Sequence, residues 1–188
     1  MLDRMRPLLV LVTFLIATAG LVPVTPLSAS AESAAGLQAD TSAALNSLYR
    51  QTPSARVLAE HARAVLVFPN IVKAGFIVGA QYGQGMLLKG GKASGYYNSV
   101  QGSVGYQAGV EKFGYAMFLM SDASVRYLNK TDGWELGIGP EIVIVDQGAA
   151  AQLSTTTAKK DIYAFHFDQK GLMGGVSIQG TKVTHIHK

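Results

Sequence analysis

Between Val65 and Val110 the chain alternates large residues with glycine, and this pattern narrows the folds open to it more than any other feature. The stretch begins with the apolar run Val65-Leu66-Val67-Phe68 and breaks at Pro69. Read with a period of two, Phe76, Val78, Ala80 and Tyr82 share one face, while Gly75, Ile77, Gly79, Gln81 and Gly83 share the other. Downstream, Val104, Tyr106, Ala108 and Val110 lie opposite Ser103, Gly105, Gln107 and Gly109. Glycine inside a strand loses more backbone entropy on folding and offers nothing to pack. Its repeated use therefore points to sharp curvature or to a second backbone pressing close. The expectation is a curved antiparallel sheet.

Two helices are expected before it. Leu37, Thr41, Ala44, Leu45 and Leu48 recur at helical spacing, and Thr52-Pro53 reads as an N-cap followed by proline at the first position of a second helix. In that second helix Leu58, Ala62 and Val65 form an inward stripe, with Arg56, Glu60 and Arg63 on the outer face. The fold class expected is α+β: mainly a curved antiparallel β-sheet, sandwich or open barrel-like, preceded by two N-terminal helices.

Later segments fill in the sheet. Lys89-Gly90-Gly91-Lys92 reads as a hairpin turn joining Met86-Leu87-Leu88 to Ser94-Gly95-Tyr96-Tyr97. Tyr115 to Met120 is apolar on both faces and so predicts a central strand, after which Ser121-Asp122 caps a short helix through Asn129. Asp132-Gly133 turns the chain; Trp134, Leu136 and Ile138 then alternate with polar or glycine positions before the buried-looking run Ile142 to Val145, predicting a strand pair. Gly148 to Lys160 reads as a surface loop, and Gln169-Lys170-Gly171 as the turn of a last hairpin between Ile162 to Phe167 and Leu172 to Ile186.

The first residues read as a targeting segment. Arg4 and Arg6 precede the apolar run Leu8 to Val22, and Ala29-Ser30-Ala31 has the small-x-small pattern cut by a signal peptidase, so residues 1–31 are expected to be a signal peptide and Glu32 the mature start. Residues 32–188 are then expected to form a single domain, since 48% hydrophobic and 15% charged residues suit a packed core and not a disordered chain. The apolar run is shorter than the roughly 20 residues of a spanning helix. With no cysteine in the chain, disulfides, thiol nucleophiles, thiolate metal sites and lipoprotein acylation are all excluded.

Charge and motifs exclude further classes. A net charge of +4 with a pI near 9.3 is a modest basic excess, not the dense stripe of a nucleic-acid binder, though it permits contact with an anionic surface. Catalysis finds no support: there is no nucleophile-elbow spacing, no His-Glu-x-x-His and no phosphate loop, and Gly83-x-Gly85 lacks the third glycine. His185 and His187 share a face of the final strand, with His166 a conceivable third ligand, but two histidines near a strand end are more simply solvated side chains. No metal and no cofactor are expected.

Three blocks of residues carry a resemblance. Val67-Phe68-Pro69 followed by Lys73-Ala74-Gly75-Phe76-Ile77-Val78-Gly79, then Gly102-Ser103-Val104-Gly105-Tyr106-Gln107-Ala108-Gly109, then Lys170-Gly171-Leu172-Met173-Gly174-Gly175-Val176-Ser177-Ile178-Gln179-Gly180, resemble the SYLF domain, also called the yeast-type actin-binding or lipid-binding domain, in its exported bacterial branch. The resemblance implies phospholipid binding, with phosphoinositides the ligands of eukaryotic members and actin a partner of some fungal ones. The chain departs from eukaryotic members at Gly95-Tyr96-Tyr97-Asn98 and at Glu141 after Gly139-Pro140, and its first helix holds Asp40 and only Arg50 at its end.

The reading that follows is a non-enzymatic phospholipid-binding protein of the bacterial cell envelope, periplasmic or secreted, with Arg50, Arg56, Arg63 and Lys73 contacting anionic headgroups. The alternative is an envelope structural or protein-interaction domain whose glycine-rich edges accept a partner strand. A small outer-membrane barrel ranks third, because several strands present glycine or polar residues where a lipid-facing apolar band is required.

Overall fold

The computed structural model describes residues 33–130, 134–135, 142–145 and 160–188. Helix α1 spans Ala34–Gln51, opened by Ser33, whose hydroxyl accepts the Gly36 N–H at 3.1 Å. Its buried residues are Leu37, Thr41, Ala44, Leu45 and Leu48, the stripe expected from the spacing. Thr52 closes α1 and opens α2, Pro53–His61, with proline in the first turn; the threonine side chain makes no cap hydrogen bond. The expected inward stripe of α2 is cut short. Ala62 is already extended, the Arg63 N–H donates to Leu119 O at 2.8 Å, and Ala64 pairs with Leu119, so sheet pairing captures the chain and leaves Ala55 and Leu58 as the buried residues.

Five strands are described. β1 runs Ala64–Lys89 and β2 Lys92–Leu119, joined at Gly90 and Gly91, both at positive φ, as a tight hairpin turn requires. Pro69 does not end β1: a register shift between Phe68 and Ile71 absorbs the missing donor, and pairing resumes beyond it. Helix α3, Asp122–Leu128, follows β2 and is capped by the Ser121 hydroxyl as expected. β3 is Trp134–Glu135, β4 is Ile142–Val145 and β5 is Ile162–Ile186. The order is β1-β2-β5-β3, antiparallel throughout, with β4 parallel on β5.

Three expectations are corrected here. Among the described residues β3 and β4 do not pair with each other, each pairing with β5, while Leu136 and Ile138 of the expected first strand lie outside the described residues. Of the run Ile142 to Val145 only Val145 is buried, and Ile144 is exposed, because β4 lies off the main path of the sheet. Gln169-Lys170-Gly171 is not a turn: β5 continues through it, paired with β2 on both sides, and the positive φ of Asp168 and Gly171 accommodates the register shift opposite Lys112 and Gly114. Residues 148–159 of the expected loop, and the Asp132-Gly133 turn, lie outside the described residues.

The three long strands curl across their own length into a half-barrel, so that the inner face of one half meets the inner face of the other. The bend in β1 falls at a second register shift, between Phe76 and Val78, with Ile77 at φ 64°. The halves close tightly along β1. A Cβ added at Gly85 would lie 2.5 Å from the Phe68 ring and 2.7 Å from the Val67 carbonyl oxygen, so only glycine admits the approach. Inside, Leu66, Phe68 and Ile71 pack with Leu87, Tyr97, Met117 and the α3 residues Val125 and Leu128. Outside, α1 and α2 cover one end of the sheet, with Leu45, Leu48 and Leu58 against Val65, Val67, Phe118 and Phe165. Tyr115 to Leu119 is buried on both faces, as a central strand must be.

Candidate functional site

The glycine-lined face of the sheet is the inner one, and the side chains that interrupt its glycines are polar. Gln81 pairs in register with Gln101, and Lys73 with Glu111, which sets two polar rungs on the two halves of the curled sheet. Gln81, Ser99 and Gln101 are buried. Together with His166 they line a cavity of about 430 Å³, with Phe113, Tyr115 and Met117 as its apolar wall. Gln169 closes one side, its amide donating to the Glu111 carboxylate at 3.0 Å.

Burial sets the protonation states inside. The His166 ring stacks at 4.6 Å from Tyr115 and 5.1 Å from Phe113, and its pKa is lowered first by this burial and secondly by the Lys73 charge. Burial pushes the Tyr115 phenol far above its ordinary range. Both are neutral hydrogen-bonding groups near pH 7, so the formal charges lining the cavity are those of Lys73 and Glu111. A lysine ammonium, amide N–H groups and a hydroxyl facing one space suit a phosphate-bearing or polyol group.

The four basic residues expected to act together occupy three environments. Arg50 stands in the last turn of α1, and Arg56 of α2 lies over the Tyr49 ring, 5.5 Å from its centroid. Arg63 does not join Glu60 on a helix face. It lies beyond the helix and forms an ion pair of 3.7 Å with Asp122 at the start of α3, the two side chains being 64% and 70% exposed. Lys73 is half-buried and lines the inner cavity. Arg50 and Arg56 thus belong to the helical layer outside the sheet, while Lys73 faces the inside.

Gln81, Ser99, Gln101 and Glu111 do not stand out as site residues in the sequence, and His166 does so only as a conceivable metal ligand beside His185 and His187. The signal was present in part: Gln81 fell on the glycine face of the alternation, but nothing in the pattern says that this face closes on itself. Among the histidines, His185 packs edge-on against Tyr97 at 5.1 Å and lies 5.3 Å from His187, while His166 is held by Tyr115 and Phe113. Among the described residues no three His, Cys, Asp or Glu side chains gather where a metal ion would bind. No described helix is long and apolar enough to cross a membrane.

No curated protein matches the chain. A family model does: Ysc84, Las17-binding protein actin regulator, over residues 100–187. That segment holds most of β2, then α3, β3, β4 and β5, and supplies Gln101, Glu111 and His166 of the cavity; Lys73 and Gln81 come from β1, before it. Over residues 100–187 the chain matches the Ysc84 family, which is the SYLF domain of the resemblance.

Proposed function

We propose that the protein is a non-enzymatic phospholipid-binding protein of the cell envelope, exported by cleavage after Ala31, which holds anionic headgroups through Lys73 with Arg50, Arg56 and Arg63 as accessory contacts. The observation that carries this reading is Lys73 itself, a lysine half-buried at a cavity of headgroup size with polar and apolar walls, which β1 shares with the segment that matches a lipid- and actin-binding family. Surface-exposed arginines each add about 1 kcal/mol near an anionic bilayer, and that contribution decays within a Debye length. Lys73 differs because it is half-buried, so salt screens it less than a fully exposed arginine.

Cosedimentation with phosphatidylcholine vesicles, with and without phosphatidylglycerol, at low and high salt tests it. Wild type is expected to prefer anionic vesicles. Replacing Arg50, Arg56, Arg63 and Lys73 by glutamine together is expected to abolish pelleting, and Lys73→Gln alone to remove the part that survives high salt. Equal pelleting of wild type and the fourfold variant would overturn the reading. A second reading, a protein-interaction domain, is supported by β1, which among the described residues has a partner strand on one side only. It gains if wild type ignores vesicles at every salt concentration.

A further inference from the structure

The outer face of the sheet changes character where the helical layer ends. At Val65 and Val67 its side chains are buried under α1 and α2, and the Asn70 amide donates to Asp40 of α1 at 2.9 Å. Beyond that row the outward positions remain apolar, and among the described residues nothing covers them. Phe76, Ile77 and Val78 at the bend are 73%, 54% and 64% exposed, and Val104 and Val110 of β2 flank them, also exposed. Single exposed apolar residues are ordinary; a contiguous face of this kind marks an interaction surface.

The bend itself presents these side chains. Ile77 sits at φ 64°, a conformation that β-branched residues rarely adopt, yet its side chain is exposed and gains little from packing within the protein. The apolar zone has a cationic and amphipathic border on both halves. On one, Lys112 pairs in register with Val72 and with Lys170. On the other, Lys182 pairs with Val100, and the Tyr82 hydroxyl accepts from Gln84 at 2.9 Å. Lysine and tyrosine at the rim of an apolar zone place charge and hydroxyl at headgroup level while their stems stay in apolar surroundings.

We propose that the bend of the sheet is a wedge that enters an anionic phospholipid bilayer, with Phe76, Ile77 and Val78 reaching the acyl boundary and Lys112, Lys170 and Lys182 resting among the headgroups. The proposal rests on the lipid-binding reading and adds to it the element that inserts. The depth is that of an interfacial element, about 5–10 Å, since the chain turns back on itself at Ile77. Charge decides between a bilayer and a second copy as the occupant: joining two copies by this face would bring their lysine borders together, whereas anionic headgroups complement them.

The absence of cysteine allows a direct test. Phe76→Cys at the bend and Lys89→Cys at the distant hairpin are labelled with an NBD fluorophore and mixed with phosphatidylcholine/phosphatidylglycerol vesicles, with and without a spin-label quencher in the acyl chains. The probe at position 76 is expected to brighten, shift to the blue and be quenched, and the probe at 89 to do none of these. The unlabelled variant Phe76→Ser/Ile77→Ser/Val78→Ser is expected to lose about thirtyfold or more in partitioning while melting within a few degrees of wild type, as burial of three large apolar side chains implies. A probe at 76 that stays wet while the protein still pellets overturns the wedge and leaves headgroup binding standing. Failure of wild type to pellet at all overturns both. A probe at 76 shielded without vesicles, together with a dimer in sedimentation, overturns the wedge in favour of a second copy.

Discussion

Gly75 and Gly79 meet across the bend of β1 so closely that a Cβ added at Gly75 would lie 2.5 Å from the Gly79 Cα and 2.9 Å from the Val78 carbonyl oxygen. Both obstacles are backbone and have no rotamer by which to yield. Gly75→Val is therefore expected to open the curled sheet and cost about 3 kcal/mol or more. Gly102→Ala is the control, for a Cβ there meets nothing within 4 Å, and its effect should stay within about 1 kcal/mol. Urea denaturation of the two variants beside wild type measures the difference.

His166 gives the fold a dependence on acidity. Its pKa in the folded state lies below the ordinary value of 6.5, through burial and then Lys73, so the unfolded chain binds the proton more readily. Stability from this group is whole above about pH 6.5 and is lost as the pH falls from there through the lowered folded value. Urea midpoints taken from pH 7.5 down to pH 5 should decline in wild type and decline less in His166→Gln. Parallel curves would assign the acid sensitivity to other groups.

Asp168 fastens α1 to β5. One of its carboxylate oxygens accepts from Ser47 at 3.0 Å and from Gln51 at 2.6 Å, and its backbone sits at φ 52°, where Asp and Asn are tolerated better than other side chains. Asp168→Asn retains an acceptor and the backbone preference, so its cost should be below about 1 kcal/mol. Asp168→Val loses both, with an expected cost of about 2–4 kcal/mol. Thermal melts of the pair report it.

Leader removal has a direct readout. Intact-mass measurement of protein recovered outside the cytoplasm is expected to begin at Glu32; a mass that includes residues 1–31 would mean a tethered protein.

Most of the architecture is legible from local rules. The α1 stripe, the Ser121 cap, the Gly90-Gly91 turn and the double-sided burial of Tyr115 to Leu119 each follow from spacing or from one backbone requirement. Expectations diverged where pairing partners decide the outcome. Pro69 and Lys170-Gly171 look like breaks, yet β2 holds both β1 and β5 in place across them through register shifts. Arg63 looked like a helix-face partner of Glu60, but Ala64 is drawn into the sheet one residue later and Arg63 finds Asp122 instead. The cavity was half visible, since alternation sorts residues onto two faces without saying which face becomes the inside. Lys73 stands out in the sequence by its charge alone; its partial burial depends on a bend between Gly75 and Gly79 that a period-two reading passes straight through.

The Gly90-Gly91 turn also fixes an order of assembly. β1 and β2, of 26 and 28 residues, zip outward from a single two-residue connection, with no long loop to close. β5, the other neighbour of β2, begins only at Ile162, so during synthesis the far edge of β2 stands with its N–H and C=O groups unpaired until Ile186 has emerged. A long hairpin with one open edge is a template for any similar chain nearby. The yield of soluble protein is consequently expected to depend on how well nascent chains are kept apart, and slower synthesis or a holding chaperone should raise it more than any substitution that stabilises the finished fold.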